Sequence, residues 1–108
     1  MPIHREGQWL TATRTEHVAY ELKPGVYRLS LAADREVTGA QAIAGLRVAE
    51  IADEWGPLLW EDTPNTAMVW RLIADAARPL GLDPLDAVIR VQQREFPTTA
   101  AEWAEWLR

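Results

Sequence analysis

From residue 8 to residue 33 apolar and polar side chains alternate with a period of two. Trp9, Thr11 and Thr13 share one face of a first segment, and Val18, Tyr20 and Leu22 share one face of a second. In a third, Tyr27, Leu29 and Leu31 oppose Val26, Arg28 and Ser30. Successive side chains of a strand point to opposite faces, so this alternation predicts half-buried strands. Lys23-Pro24-Gly25 divides the second from the third: proline fixes φ and glycine supplies a positive φ, which together reverse the chain. The pattern predicts an antiparallel meander of about three strands. A sheet that small is marginal alone, so helices must cover its apolar face.

Beyond Thr38 the period changes to that of a helix. Thr38-Gly39-Ala40-Gln41 has the form of a capping box, and Ala44, Val48, Ile51 and Trp55 follow as one stripe expected to lie on the sheet. Gly56-Pro57 ends that helix. Leu58, Leu59 and Trp60 form an apolar connector, and Thr63-Pro64 restarts the chain with good N-terminal helix chemistry. Met68, Val69, Leu72, Ile73 and Ala76 are expected as the inner face of the second helix, with Trp70 beside it. Asp83-Pro84 opens a third helix with Leu85, Val88, Ile89 and Phe96 inward, and Thr99 to Glu102 forms a further capping box before a last short helix carrying Trp103, Trp106 and Leu107. Three strands followed by about four helices, with no repeat and no long linker, predict a single two-layer α+β domain over residues 1–108.

Composition narrows the function classes. No apolar run reaches the roughly 18 to 20 residues needed to cross a bilayer, and the first residues are neither basic nor apolar enough for a leader, so a cytoplasmic protein is expected. A net charge of −5 argues against generic affinity for phosphate backbones. The absence of cysteine removes disulfides, thiolate nucleophiles and thiolate metal sites together. Arginine outnumbers lysine ten to one, and alanine is abundant, a combination that a GC-rich coding sequence explains.

Candidate chemistry is sparse. A Ser-His-Asp arrangement would need Ser30 and His17, which can be neighbours across a hairpin, but Ser30 lacks a nucleophile-elbow turn and His17 reads as an exposed strand residue. Glu50, Asp53 and Glu54 share a helix face at i, i+3 and i+4, geometry that suits a hard cation, yet without a calcium loop or a matching histidine they read as a solvated acidic surface partly paired with Arg47. A carboxylate-based activity would require these three to line a concave pocket. No phosphate-cradling glycine loop is present, and no metal or cofactor is expected. Residues 66–95 superficially resemble a bacterial helix-turn-helix, which would make Arg90, Gln93 and Arg94 the DNA contacts. Pro79 interrupts its first helix, and Asp83 and Asp86 would face phosphates.

Five of the six tryptophans, Trp55, Trp60, Trp70, Trp103 and Trp106, lie in the second half of the chain. A domain of this size has limited interior to hide them, so some are expected in an interface. The sequence therefore points to a small non-catalytic protein that binds another protein as an adaptor, inhibitor or assembly factor. Its expected contact residues are Trp60, Trp70, Trp103 and Trp106 with Glu61 and Asp62, and a homodimer is expected as the simplest way to cover such a patch.

Overall fold

The computed structural model describes residues 3–93 and 100–106, the side chains of Ala100, Trp103 and Trp106 excepted. The chain opens with five antiparallel strands in sequential order: β1 (Ile3–Glu6), β2 (Trp9–Ala12), β3 (Val18–Lys23), β4 (Val26–Leu29) and β5 (Glu36–Thr38). The α+β class and the strands-then-helices order agree with the sequence reading, but the three-stranded meander is corrected to five strands. Both unpredicted strands are edges. Ile-His-Arg-Glu and Glu-Val-Thr each offer a single apolar residue, too little for alternation to register, and polar side chains are what exposed edges carry.

Register explains which face is covered. Leu10 pairs with Ala19, Ala19 with Leu29, and Tyr27 with Val37, so these five residues share the inner face and all are buried. The opposite face carries Trp9 edge-on to Tyr20, ring centroids 4.7 Å apart. The third segment stops being a strand at Leu29. Ser30–Ala32 instead forms a buried 3-10 turn, so Leu31 enters the core from a turn rather than from the sheet.

Three helices, not about four, build the layer on the sheet: α1 (Gly39–Trp55), α2 (Pro64–Ala77) and α3 (Pro84–Gln93). The seven-residue α4 (Ala100–Trp106) follows residues 94–99, which lie outside the described residues, as does Phe96. The capping box at Thr38 is formed: Gln41 N–H donates to Thr38 Oγ1, and Thr38 N–H donates to Gln41 Oε1 at 2.8 Å. Thr63 and Thr66 make the equivalent reciprocal pair at the start of α2.

α1 is the centre of the helical layer, touching the sheet on one side and α2 and α3 on others. Small residues make that possible. Ala42, Ala49, Ala52, Ala77 and Ala87 are all essentially inaccessible, and Gly45 lies against Leu29 so closely that a Cβ there would collide with the leucine methyl. The alanines are thus core residues that let helices approach, whatever their coding origin. They also change the helix faces. α2 turns Thr66, Val69, Ile73 and Ala77 inward, leaving Met68 and Leu72 outside, and α3 buries Ala87, Val88 and Val91 while Leu85 and Ile89 face solvent.

Candidate functional site

Arg47, Glu50, Ile51 and Glu54 recur at helical spacing along one side of α1, facing Leu72 and Ala76 of α2. With Arg14 from the β2–β3 loop they line a cavity of about 580 Å³, mostly apolar. Glu50 is the unusual member. It is only 5% exposed, and its Oε1 meets no hydrogen-bond donor among the described residues. Burying an unmatched carboxylate oxygen is costly, and native structures hold few such groups.

The neighbouring acids behave differently. Glu54 is ion-paired with Arg14 at the rim, and Asp53 accepts the Thr15 hydroxyl at 2.6 Å beside a shallower depression lined by Thr13, Arg14, Thr15 and Glu16. The expected solvated acidic surface is therefore corrected: Glu50 is buried, and Arg47 makes no ion pair among the described residues. Glu50 and Glu54 do line a pocket, but Asp53 lines another. Among the described residues no three histidine, aspartate or glutamate side chains are grouped to hold a metal ion.

A second polar group is buried where the sheet meets α3. His17, expected on the surface, is fully inaccessible. Its Nε2 lies 2.8 Å from the Val91 carbonyl and its Nδ1 lies 2.8 Å from Ser30 Oγ. A carbonyl only accepts, so Nε2 donates to Val91, while Nδ1 and the Ser30 hydroxyl share the other hydrogen bond. Ser30 Oγ in turn accepts from Val18 N–H at 2.9 Å. Serine and histidine are thus brought together as chain proximity allowed, within the hydrogen-bond reach that a nucleophile and its base require. A hydrogen-bond partner of the other ring nitrogen, among the described residues, is the Val91 backbone carbonyl. His17 and Ser30 line a cavity of about 500 Å³ together with Asp34 and Asp86, both of which pair with Arg90. With its two ring nitrogens engaged, His17 ties the start of β3 to the end of α3.

The connector after α1 is a 3-10 turn, Gly56–Trp60, that buries Leu59 and exposes Leu58 and Trp60. Trp70 is half-buried and donates its indole N–H to the Leu59 carbonyl at 2.9 Å, and its ring lies 5.8 Å from that of Trp60. Trp60, Trp70 and the exposed Glu61 and Asp62 therefore share one corner. Trp103 and Trp106 belong to α4, but their side chains lie outside the described residues, as does Arg94.

Of the proposed DNA contacts, Gln93 is exposed, whereas Arg90 is drawn inward. Arg90 reaches Asp86 at 3.3 Å, Asp34 at 3.6 Å and the Leu31 carbonyl at 3.4 Å, ties that leave its charge balanced by two acids. Among the described residues no helix is long and apolar enough to cross a membrane.

Compared with protein-family models, with curated proteins and with solved structures, the chain matches none. Function must be read from the site itself. Sequence reasoning singled out Trp60, in an apolar connector flanked by acids, and Trp70 beside a helix face, and the structure sets their rings next to each other. It missed the groove, because Glu50 is one of 16 acidic residues and the groove brings α1, α2 and the β2–β3 loop together from distant parts of the chain.

Proposed function

We propose that this chain is a non-catalytic protein-binding module that receives its partner on the outer side of α2 and the connector leading into it. One observation carries the reading. Met68 and Leu72, one turn apart on α2, are 65% and 57% exposed, and Leu58 and Trp60 just before the helix are 50% and 53% exposed. Large apolar side chains left exposed on a helix and on the connector before it are what docking surfaces present, and tryptophan is enriched among the residues that dominate binding energy. Glu61, Asp62 and the net charge of −5 give that surface an acidic setting, which favours and steers a basic partner.

The test is affinity capture from native lysate with the wild-type chain, Trp60→Ala and Leu72→Asp run in parallel. A partner with a basic surface should be retained by wild type and lost from Leu72→Asp, with a weaker loss from Trp60→Ala. A folded protein that captures nothing, or captures the same partner undiminished by both changes, rejects this surface. Light scattering on the purified chain distinguishes the expected homodimer: a doubled mass that Leu72→Asp abolishes would make a second copy, rather than a foreign protein, the occupant.

A further inference from the structure

The groove between α1 and α2 contains a feature that apolar docking alone does not use. Glu50 sits in it 95% buried, Oε1 meets no donor, and the surrounding wall is Ile51, Leu72 and Ala76. The nearest basic side chains are already placed. Arg14 is held by Glu54, and Arg47 stays exposed at the rim without reaching the carboxylate. A buried carboxylate lining a groove beside Ile51, Leu72 and Ala76 selects a ligand with a matching shape: a cationic head on an aliphatic stem. We propose that the groove takes a basic side chain of the protein partner, guanidinium or ammonium, onto Glu50, with its methylene stem lying on Ile51, Leu72 and Ala76.

This inference rests on the protein-binding reading and adds the partner's chemistry to it. Three physical arguments support a cation over a neutral group. Charge-assisted hydrogen bonds to a carboxylate are about twice as strong as neutral ones. A donor delivered to a buried oxygen that no donor of the described residues reaches matches a group whose desolvation folding has already imposed. Long basic side chains bring apolar stems that fit such walls. A volume of about 580 Å³ is ample for one such side chain together with flanking apolar residues.

The site chemistry is tested on the intact chain with n-hexylguanidinium and its neutral isostere n-hexylurea, followed by NMR of the Ile51 and Leu72 methyl groups at neutral pH and low salt. Saturable methyl shifts are expected with hexylguanidinium at an affinity about tenfold above that for hexylurea, and Glu50→Gln should erase that difference. Glu50→Asp, which keeps the charge but shortens its reach, should fall between the two. Arg47→Gln removes a like charge from the rim and should tighten guanidinium binding by no more than about threefold, because exposed charges are screened. Equal binding of the two probes, no saturable shift, or wild-type discrimination in Glu50→Gln would overturn the inference. The two readings fail separately. If lysate capture survives Glu50→Gln but not Leu72→Asp, the docking surface stands and the cation site falls; if hexylguanidinium binds through Glu50 while no partner is captured, the docking reading falls.

Discussion

His17 and Glu50 are both withdrawn from solvent, one against the end of α3 and the other between α1 and α2, yet their surroundings treat them in opposite ways. His17 has a partner on each ring nitrogen, and the serine it contacts is itself matched by Val18 N–H. Glu50 has an oxygen that no donor of the described residues reaches. A hydrogen bond between buried groups adds modestly to stability, whereas leaving one side unmatched costs the full desolvation of that group. The matched histidine therefore belongs to the scaffold. The unmatched glutamate works against it, and a binding partner that supplies a donor recovers what folding gave up.

The comparison breaks first at His17. His17→Ala removes the contacts to Ser30 and to the Val91 carbonyl and opens a cavity beside β3, so a loss of about 3 to 4 kcal/mol is expected. Urea unfolding at neutral pH reads this as a lower midpoint at unchanged slope. A loss below about 1 kcal/mol would mean that the His17 contacts do not hold α3 to the sheet.

At Glu50 the sign reverses. Glu50→Leu exchanges an unmatched carboxylate for an apolar side chain of similar size, a change expected to stabilise by about 1 to 3 kcal/mol. The same unfolding measurement checks it. A destabilised Glu50→Leu would show that the carboxylate is matched in solution and would remove the contrast with His17. Stabilisation accompanied by loss of guanidinium binding is the trade expected when a residue serves recognition at the expense of folding.

How far the sequence discloses each region follows from the same physics. Strand alternation across Trp9–Ala12, Val18–Lys23 and Val26–Leu29, the Thr38 capping box and the Gly25 reversal depend on neighbours in the chain, so they are readable locally. The polar edge strands are not, since edges need little hydrophobicity. Leu72 and Ile89 look like core by periodicity, but Ala77 and Ala87 bring the helices together on different faces and leave the larger residues outside. His17 and Glu50 are the extreme case. His17 contacts Val91, 74 residues on, and Glu50 lines a groove that Leu72 and Ala76 of α2 help to form, and no local pattern encodes either.

Glu21 supplies the smallest and sharpest control, because it is the same residue type as Glu50 with donors around it. In β3 it accepts from Arg5 Nη1 at 3.2 Å and from Gly25 N–H at 3.4 Å. Burial alone would push its carboxyl up, but the Gly25 N–H, Arg5 and Tyr27 together outweigh it and hold the group below the ordinary carboxylate range. A carboxyl lowered by folding contributes stability that is fully present above its unfolded value and is lost as pH falls through the folded one. Wild type should therefore exceed Glu21→Gln in stability at neutral pH, and the gap should close below about pH 4, under the ordinary glutamate value. The effect is small because Arg5 is half-exposed and the pair is screened by solvent and salt. Unfolding of both proteins in urea at about pH 7 and about pH 3 measures the gap directly, and a gap that stays constant would show that Glu21 takes nothing from its donors.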